Sequence, residues 1–535
     1  RGGLDHLLTE SRRHVYLRLS MRHRWALLLG AIGAAGLSPL APGPLLAQHE
    51  HGAAAPGGEV VGRVVFHISC RSGTQPRFER AVALLHSFWY EEADTAFAAI
   101  VATDSLCGMG YWGLAMSKLH PLWTPPNAFA AERGLAEAEQ AVSLTGGVER
   151  EYAEAIATYY RDYATVDHRI RLLAYERAMQ GIVRRHPADD EARAFYALAL
   201  IANGQLDTRD TTLARQRRAG AILEALLQRH PDHPGVAHYL IHAYDSPALA
   251  ARAVAAADRY ARIAPSVPHA LHMPSHIYTR LGRWDASIAA NLRSADAARR
   301  YETAQHPGAM WDQRAHALDY LVYAYLQLGR DSAARGVVAE AAAAKEAFPP
   351  GSLITDYALA AIPARYALER GRWADAATLT VRPALSWRAA EAITHFARAL
   401  GAARTARPDT AAAEVDTLAM IERMLADAGG AQAYWSVEVK IQRMAADAWV
   451  ALARGDTTRA IDEAAGAADL EDRTALHPVT PGPVLPAREL DGDLLLAIGR
   501  PAEAERAYQR SLARQPNRAR SLAGLAVARR AATAR

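Results

Sequence analysis

The sequence predicts an all-α fold, a right-handed superhelical solenoid of helix–turn–helix repeats. Three observations predict it. Apolar residues recur with helical periodicity, and no convincing alternating strand interrupts them. Small, aromatic and proline residues return at a period of 34, as Pro231 and Pro265 do. The composition is 50% hydrophobic and 22% charged, which excludes disorder over most of the length.

Taken in chain order, the 535 residues open with a stretch not expected to join the fold. Residues 1–20 read as an upstream or artefactual segment. Residues 21–47 read as a signal peptide: Met21, a basic start at Arg22-His23-Arg24, an apolar run too short to span a bilayer, and a small-residue cleavage site ending at Ala47. Residues 48–63 read as a flexible linker carrying His49 and His51, and 64–535 as one repeat domain. The expected location is therefore the periplasm or beyond, with no integral membrane segment in the mature chain. The formal net charge of +4 belongs to the leader, where six arginines face only Asp5 and Glu10 in the first 24 residues. The neutral remainder argues against nucleic-acid binding, which needs a basic face. Only Lys118, Lys345 and Lys440 are present, and none follows a glycine-rich phosphate loop.

Cys70 and Cys107 are the two cysteines. Export permits a disulfide between them, and the absence of a CxxC pair excludes a zinc ribbon or thioredoxin-type site.

The first unit starts at Thr74 and places Ala81, Leu84, Ala93 and Phe97 at repeat positions 8, 11, 20 and 24. The unit between Pro187 and Pro231 is 44 long, and its polar stretch 203–212 reads as a loop inserted between two helices. Units from Ala315 and Tyr357 place Gly329 and Gly371 at position 15, with Ala334 and Ala376 at 20. Residues 395–432 carry the vaguest pattern. Four prolines in 477–488 forbid a continuous helix and predict an ordered loop, one able to cross the groove. The last unit has Gly492, Leu495, Gly499, Ala504, Tyr508, Leu512 and Pro516 at positions 8, 11, 15, 20, 24, 28 and 32. Small residues at 8 and 20 let paired helices approach, and large ones at 11 and 24 fill the space between them. This pattern resembles the tetratricopeptide repeat (TPR).

The runs HYLIHAYDSP (238–247), HALHMPSHIYTRLGRW (269–284) and the C-terminal 479–518 look like those of a family of exported bacterial TPR proteins, mostly uncharacterised. The block 84–123 fits the same group. The resemblance implies the solenoid fold and an exported repeat protein; it implies no particular activity.

Function in such a solenoid is expected in the concave groove, lined by repeat positions 2, 5, 9 and 12. His238, His242 and Asp245 fall at 5, 9 and 12 of one unit; His269, His272 and His276 at 2, 5 and 9 of the next; His316, Asp319 and Tyr323 at 2, 5 and 9 of a third. His238/His242 and His272/His276 are i, i+4 pairs, one helical turn apart and able to share a ligand. Pro274 either kinks the helix between His272 and His276 or starts a new one. Three readings follow. The histidines hold a transition metal such as Zn or Cu, with His238, His242, His272 and His276 as ligands. They bind a protein segment or another polar ligand. Or they bond one another within packed helices. Tyr239 stands where a zincin's general-base Glu would be, so a protease of that type is not supported. From the sequence, a non-enzymatic scaffold with a His-lined groove for a protein or peptide partner is the reading taken. A metalloprotein or metalloenzyme is the alternative.

Overall fold

A computed structural model describes residues 58–534 except 124, 208, 209, 383 and 384. The segment 1–20, the signal peptide and the linker up to 57, with His49 and His51, lie outside the described residues.

The described chain is a succession of helices in which each packs chiefly on the next in sequence, often also on the next but one. This is an all-α helical-repeat fold. The last unit shows why the sequence folds this way. Helix Ala487–Ala497 lies against helix Pro501–Arg514, and a Cβ on Gly492 would stand 2.8 Å from the Tyr508 ring. Only a residue without a side chain lets the two helices close to this separation. The turn between them needs a left-handed residue, supplied by Gly499 with φ of 75°. Gly282, Gly329 and Gly371 do the same at the corresponding turns, with φ of 65°, 68° and 60°.

Several details differ from the sequence reading. The packed chain begins before residue 64: Val61 is buried, the Val60 N–H donates to Ser266 Oγ at 2.9 Å, and the Arg63 N–H donates to the Asp232 carbonyl at 3.0 Å. The inserted loop is shorter than 203–212, because helix Asp190–Leu206 runs through Asn203, whose amide donates to the Leu172 carbonyl. The vague stretch 395–432 lies in a regular antiparallel pair, Arg388–Arg404 with Pro408–Ala428. It buries alanines together with Ile393, Phe396, Leu400, Leu418 and Ile421. Two three-residue strands, Ala309–Trp311 and Glu346–Phe348, pair in parallel, the first packed on helices Trp284–Gln305 and Asp312–Gln327. Among the described residues no helix is long and apolar enough to cross a membrane. Cys70 and Cys107 form a disulfide that ties the start of the fold to the helix Gly108–Lys118.

The repeats do not leave an open trough. The first helix, Gln75–His86, returns to pack on helix Pro234–Ala243, and helix Asp312–Gln327 meets the last helix, Ala519–Thr533. The proline-rich stretch 477–486 is held by side chains of the groove-lining helices. Arg280 donates to the Pro481 carbonyl at 2.7 Å. Arg365 donates to the carbonyls of Gly482 and Pro483 and to Thr480 Oγ1, each at 2.8 Å.

Candidate metal centre

Three neighbouring segments of the concave side carry the histidines. Helix Pro234–Ala243 holds His238 and His242, with Pro234 in its first turn and the His233 side chain capping it. The next segment is split. Helix Pro268–His272 carries His269 and His272, and helix Pro274–Arg280, restarted at its proline, carries His276. Helix Asp312–Gln327 brings His316. All six imidazoles are buried; His242, 9% exposed, comes nearest to solvent. They do not line an open channel with solvent between them, as the scaffold reading expected.

The histidines gather into two triads. His238, His242 and His269 form one, and His272, His276 and His316 the other; in each, one ligand atom per residue lies within 4.8 Å of the others. In the first triad His238 Nε2 is 3.1 Å from the Nε2 atoms of both His242 and His269. In the second, His272 Nε2 and His276 Nε2 are 2.9 Å apart.

The opposite ring nitrogens decide the protonation. His238 Nδ1 is 2.7 Å from the His86 carbonyl, an acceptor only, so Nδ1 carries the proton. His276 Nδ1 donates to Asp245 Oδ2 at 2.8 Å. His272 Nδ1 donates to Asn291 Oδ1 at 2.6 Å, and Asn291 is oriented by its own amide, which donates to the Ser287 carbonyl. His269 Nδ1 donates to Gln313 Oε1 at 3.1 Å, and the Gln313 amide donates to Asp312. Four histidines thus turn bare Nε2 lone pairs inward. His238 faces His269, and His272 faces His276, lone pair to lone pair at hydrogen-bond distance. Only a cation or an extra proton between them makes such a contact favourable. A proton is opposed: burial, and then the neighbouring imidazoles, hold His238, His269 and His272 well below the ordinary histidine range. Burial and then His272 do the same to His316, whose Nδ1 is buried without a partner. Burial also works against the Asp245 charge, but Arg280 and then His276 outweigh it and hold that carboxyl below the usual range.

A third cluster shows the contrast. His86 and His233 both reach Glu191, at 2.9 and 2.8 Å. Their other nitrogens accept, from Tyr239 Oη–H and from the Val236 N–H. Every donor meets an acceptor, so this cluster is complete without an ion.

Aromatic rings enclose the triads. Phe88 lies 4.4 Å from His238 between ring centroids, Tyr260 stacks on His238 at 5.1 Å, and Tyr320 stacks on His276 at 5.0 Å. Such a shell limits water and fixes ring orientation.

Asp319 and Tyr323, expected in the groove with the histidines, are committed elsewhere. Asp319 pairs with Arg365 at 2.7 Å, both buried. Tyr323 Oη donates to Gln515 and receives from Arg518 at 3.0 Å. Asp245 serves as the orienting acceptor of His276. The sequence reading missed Asn291, Gln313, Phe88 and Tyr320. Their only sequence signal was a polar or aromatic residue on a helix face whose partner could not be read.

No family model and no curated protein matches this sequence. Solved structures do. Cut9 in the APC/C hetero-tetramer Cut9-Hcn1 is similar with 14% identity over 79% of this chain and 76% of that one, at a TM-score of 0.34. The P58(IPK) TPR domain matches with 12% identity over 86% of this chain and 99% of its own, at 0.22. An IFIT1 monomeric mutant with Gppp-AAAA matches with 12% identity, covering 79% and 90%, at 0.36. All three TM-scores lie below 0.5, so the all-α helical-repeat fold rests on the chain's own helices.

Proposed function

We propose that this chain is a metalloprotein whose six-histidine centre binds a transition metal. The observation that carries the reading is the pair of Nε2 lone pairs of His272 and His276, 2.9 Å apart with no proton assigned between them. Two nitrogens bound to one tetrahedral ion at about 2.0–2.1 Å stand about 3.3–3.4 Å from each other, close to the spacing of the triads. Imidazole ligands without thiolate or carboxylate suit Cu, Zn, Ni or Fe and do not suit Mg or Ca. The Nδ1 partners are of the kind that orient metal-bound histidines: a backbone carbonyl, two side-chain amides and a carboxylate. The signal-peptide pattern and the Cys70–Cys107 disulfide support an exported location, where such a protein would meet its metal.

The test is metal titration of chelator-treated protein, followed by thermal unfolding. A metal that binds only the folded state at 1,000 times its dissociation constant stabilises by about 4 kcal/mol. Cu, Zn, Ni and Fe salts that neither bind nor raise the melting temperature would sink the reading.

A protein-segment scaffold is the second reading, favoured by one observation. Arg280 and Arg365 already hold a peptide segment by its carbonyls, the chain's own 479–485. A partner segment would compete with it, so a chain with 479–485 replaced by a Gly/Ser linker would bind that partner more tightly.

A further inference from the structure

Resting on the metal reading, we infer that the two triads hold two ions side by side, joined by a small bridging anion. Six imidazoles around a single ion would form one group. Here the six divide into two groups of three, each internally within 4.8 Å. The closest ring pairs within a triad are 4.3 and 4.8 Å apart between centroids, His272–His316 and His238–His242. Other rings of one triad lie as far apart as rings of different triads: His242–His269 are 6.3 Å apart, and between triads the crossed and tilted pairs His242–His276 and His269–His272 are each 6.1 Å apart. The division is thus one of ligand nitrogens, and the two triads adjoin along two edges.

Each triad is a three-ligand site, and three protein ligands leave an ion with an open position. His316 also brings to the second triad a buried Nδ1 that has no hydrogen-bond partner. Charge then calls for an exogenous ligand. All six imidazoles are neutral ligands. The one carboxylate near them, Asp245, bonds the far side of His276 and also serves Arg280 at 2.8 Å. Two divalent ions in this low-dielectric pocket would carry four positive charges with no anion among their protein ligands. A small anion such as hydroxide, bound at both open positions, offsets that charge. Two-metal sites of this kind clamp one oxygen ligand between ions. The class of ligand is thus a small anion.

The experiment is copper(II) loading of the full chain, with copper counted by elemental analysis and spins counted by electron paramagnetic resonance. The inference expects two copper ions per chain and a spin count well below the copper count, because a bridging anion couples the pair. His269→Ala and His316→Ala, one in each triad, each leave one copper with a full mononuclear signal. One copper in the unsubstituted chain, lost in either variant, overturns the pair and leaves the metal reading standing. Two coppers with a full spin count overturn the bridge. No copper overturns the metal reading itself. The unsubstituted chain decides each case, so a variant that fails to fold does not block the result.

Discussion

At the scale of single residues, the centre depends on how each imidazole is turned. Asp245 holds His276 and Arg280 at once. Asp245→Asn removes the charge that fixes the His276 Nδ1 proton, and metal affinity should fall about 10–100-fold, as for other partners of metal-bound histidines. Competition with a chromogenic chelator measures this; an unchanged affinity would show that Asp245 serves only Arg280. A second residue-scale prediction concerns pH. Burial pushes the Glu471 carboxyl up to about 8 and that of Glu438 up to about 7. An acid with a raised folded pKa binds more protons folded than unfolded above its ordinary value of 4.5. Its contribution to stability is therefore present at low pH and lost as pH rises through the folded value. The melting temperature should decline from about pH 5 to about pH 9. Glu471→Gln keeps an acceptor for the Ala487 N–H, and should flatten that decline. The i, i+4 histidine pairs were legible because helix spacing alone aligns them. The positions of Asp319 and Tyr323 were equally regular, yet these residues turn to Arg365, 46 residues away, and Arg518, 195 away. Repeat numbering says which face a residue occupies. It does not say which distant arginine reaches it.

At the scale of elements, close helix pairing is written in small residues. A Cβ on Gly220 would stand 2.2 Å from the Tyr244 ring, so Gly220→Ala should destabilise by about 1–3 kcal/mol through overpacking. Gly336, exposed in helix Asp331–Ala343, has nothing within 4 Å, and Gly336→Ala should stabilise by about 0.5–1 kcal/mol. Urea unfolding of the two variants checks both signs. The helix pairs of 64–535 were legible through these small and aromatic positions. The pair at 395–432 was not, because its many buried alanines, Ala397, Ala399, Ala402, Ala403 and Ala411 among them, do not mark a repeat position. Pro274 was readable as a kink or as a restart; the structure has helix on both sides of Met273, itself in the α region, so His269 and His272 lie on a helix.

At the scale of the whole molecule, the unexpected feature is closure. A repeat sequence encodes contacts between neighbours, and these lead to an extended trough. Long-range contacts, such as helix Gln75–His86 on Pro234–Ala243, are absent from the repeat pattern. They convert the trough into an interior and turn groove positions into buried ones. The plug 477–486 completes this on the other half, held by the buried Arg365. Arg365→Leu should release it and leave the Asp319 carboxyl buried without its partner, at a cost of about 3–5 kcal/mol. Limited proteolysis should then cut between 475 and 486; a resistant variant would show that Arg280 and Tyr320, whose Oη donates to the Thr480 carbonyl at 3.3 Å, suffice to hold the segment. Closure also explains why histidines at groove positions are buried and gathered.

The central claim is that the inward-facing histidine nitrogens are metal ligands. X-ray absorption at the metal edge of copper- or zinc-loaded protein tests it most directly. The prediction is a first shell of nitrogen or oxygen at about 2.0–2.1 Å with the outer-shell scattering of imidazole rings. A shell without imidazole scattering, or protein that leaves the loading solution with no metal, would contradict it.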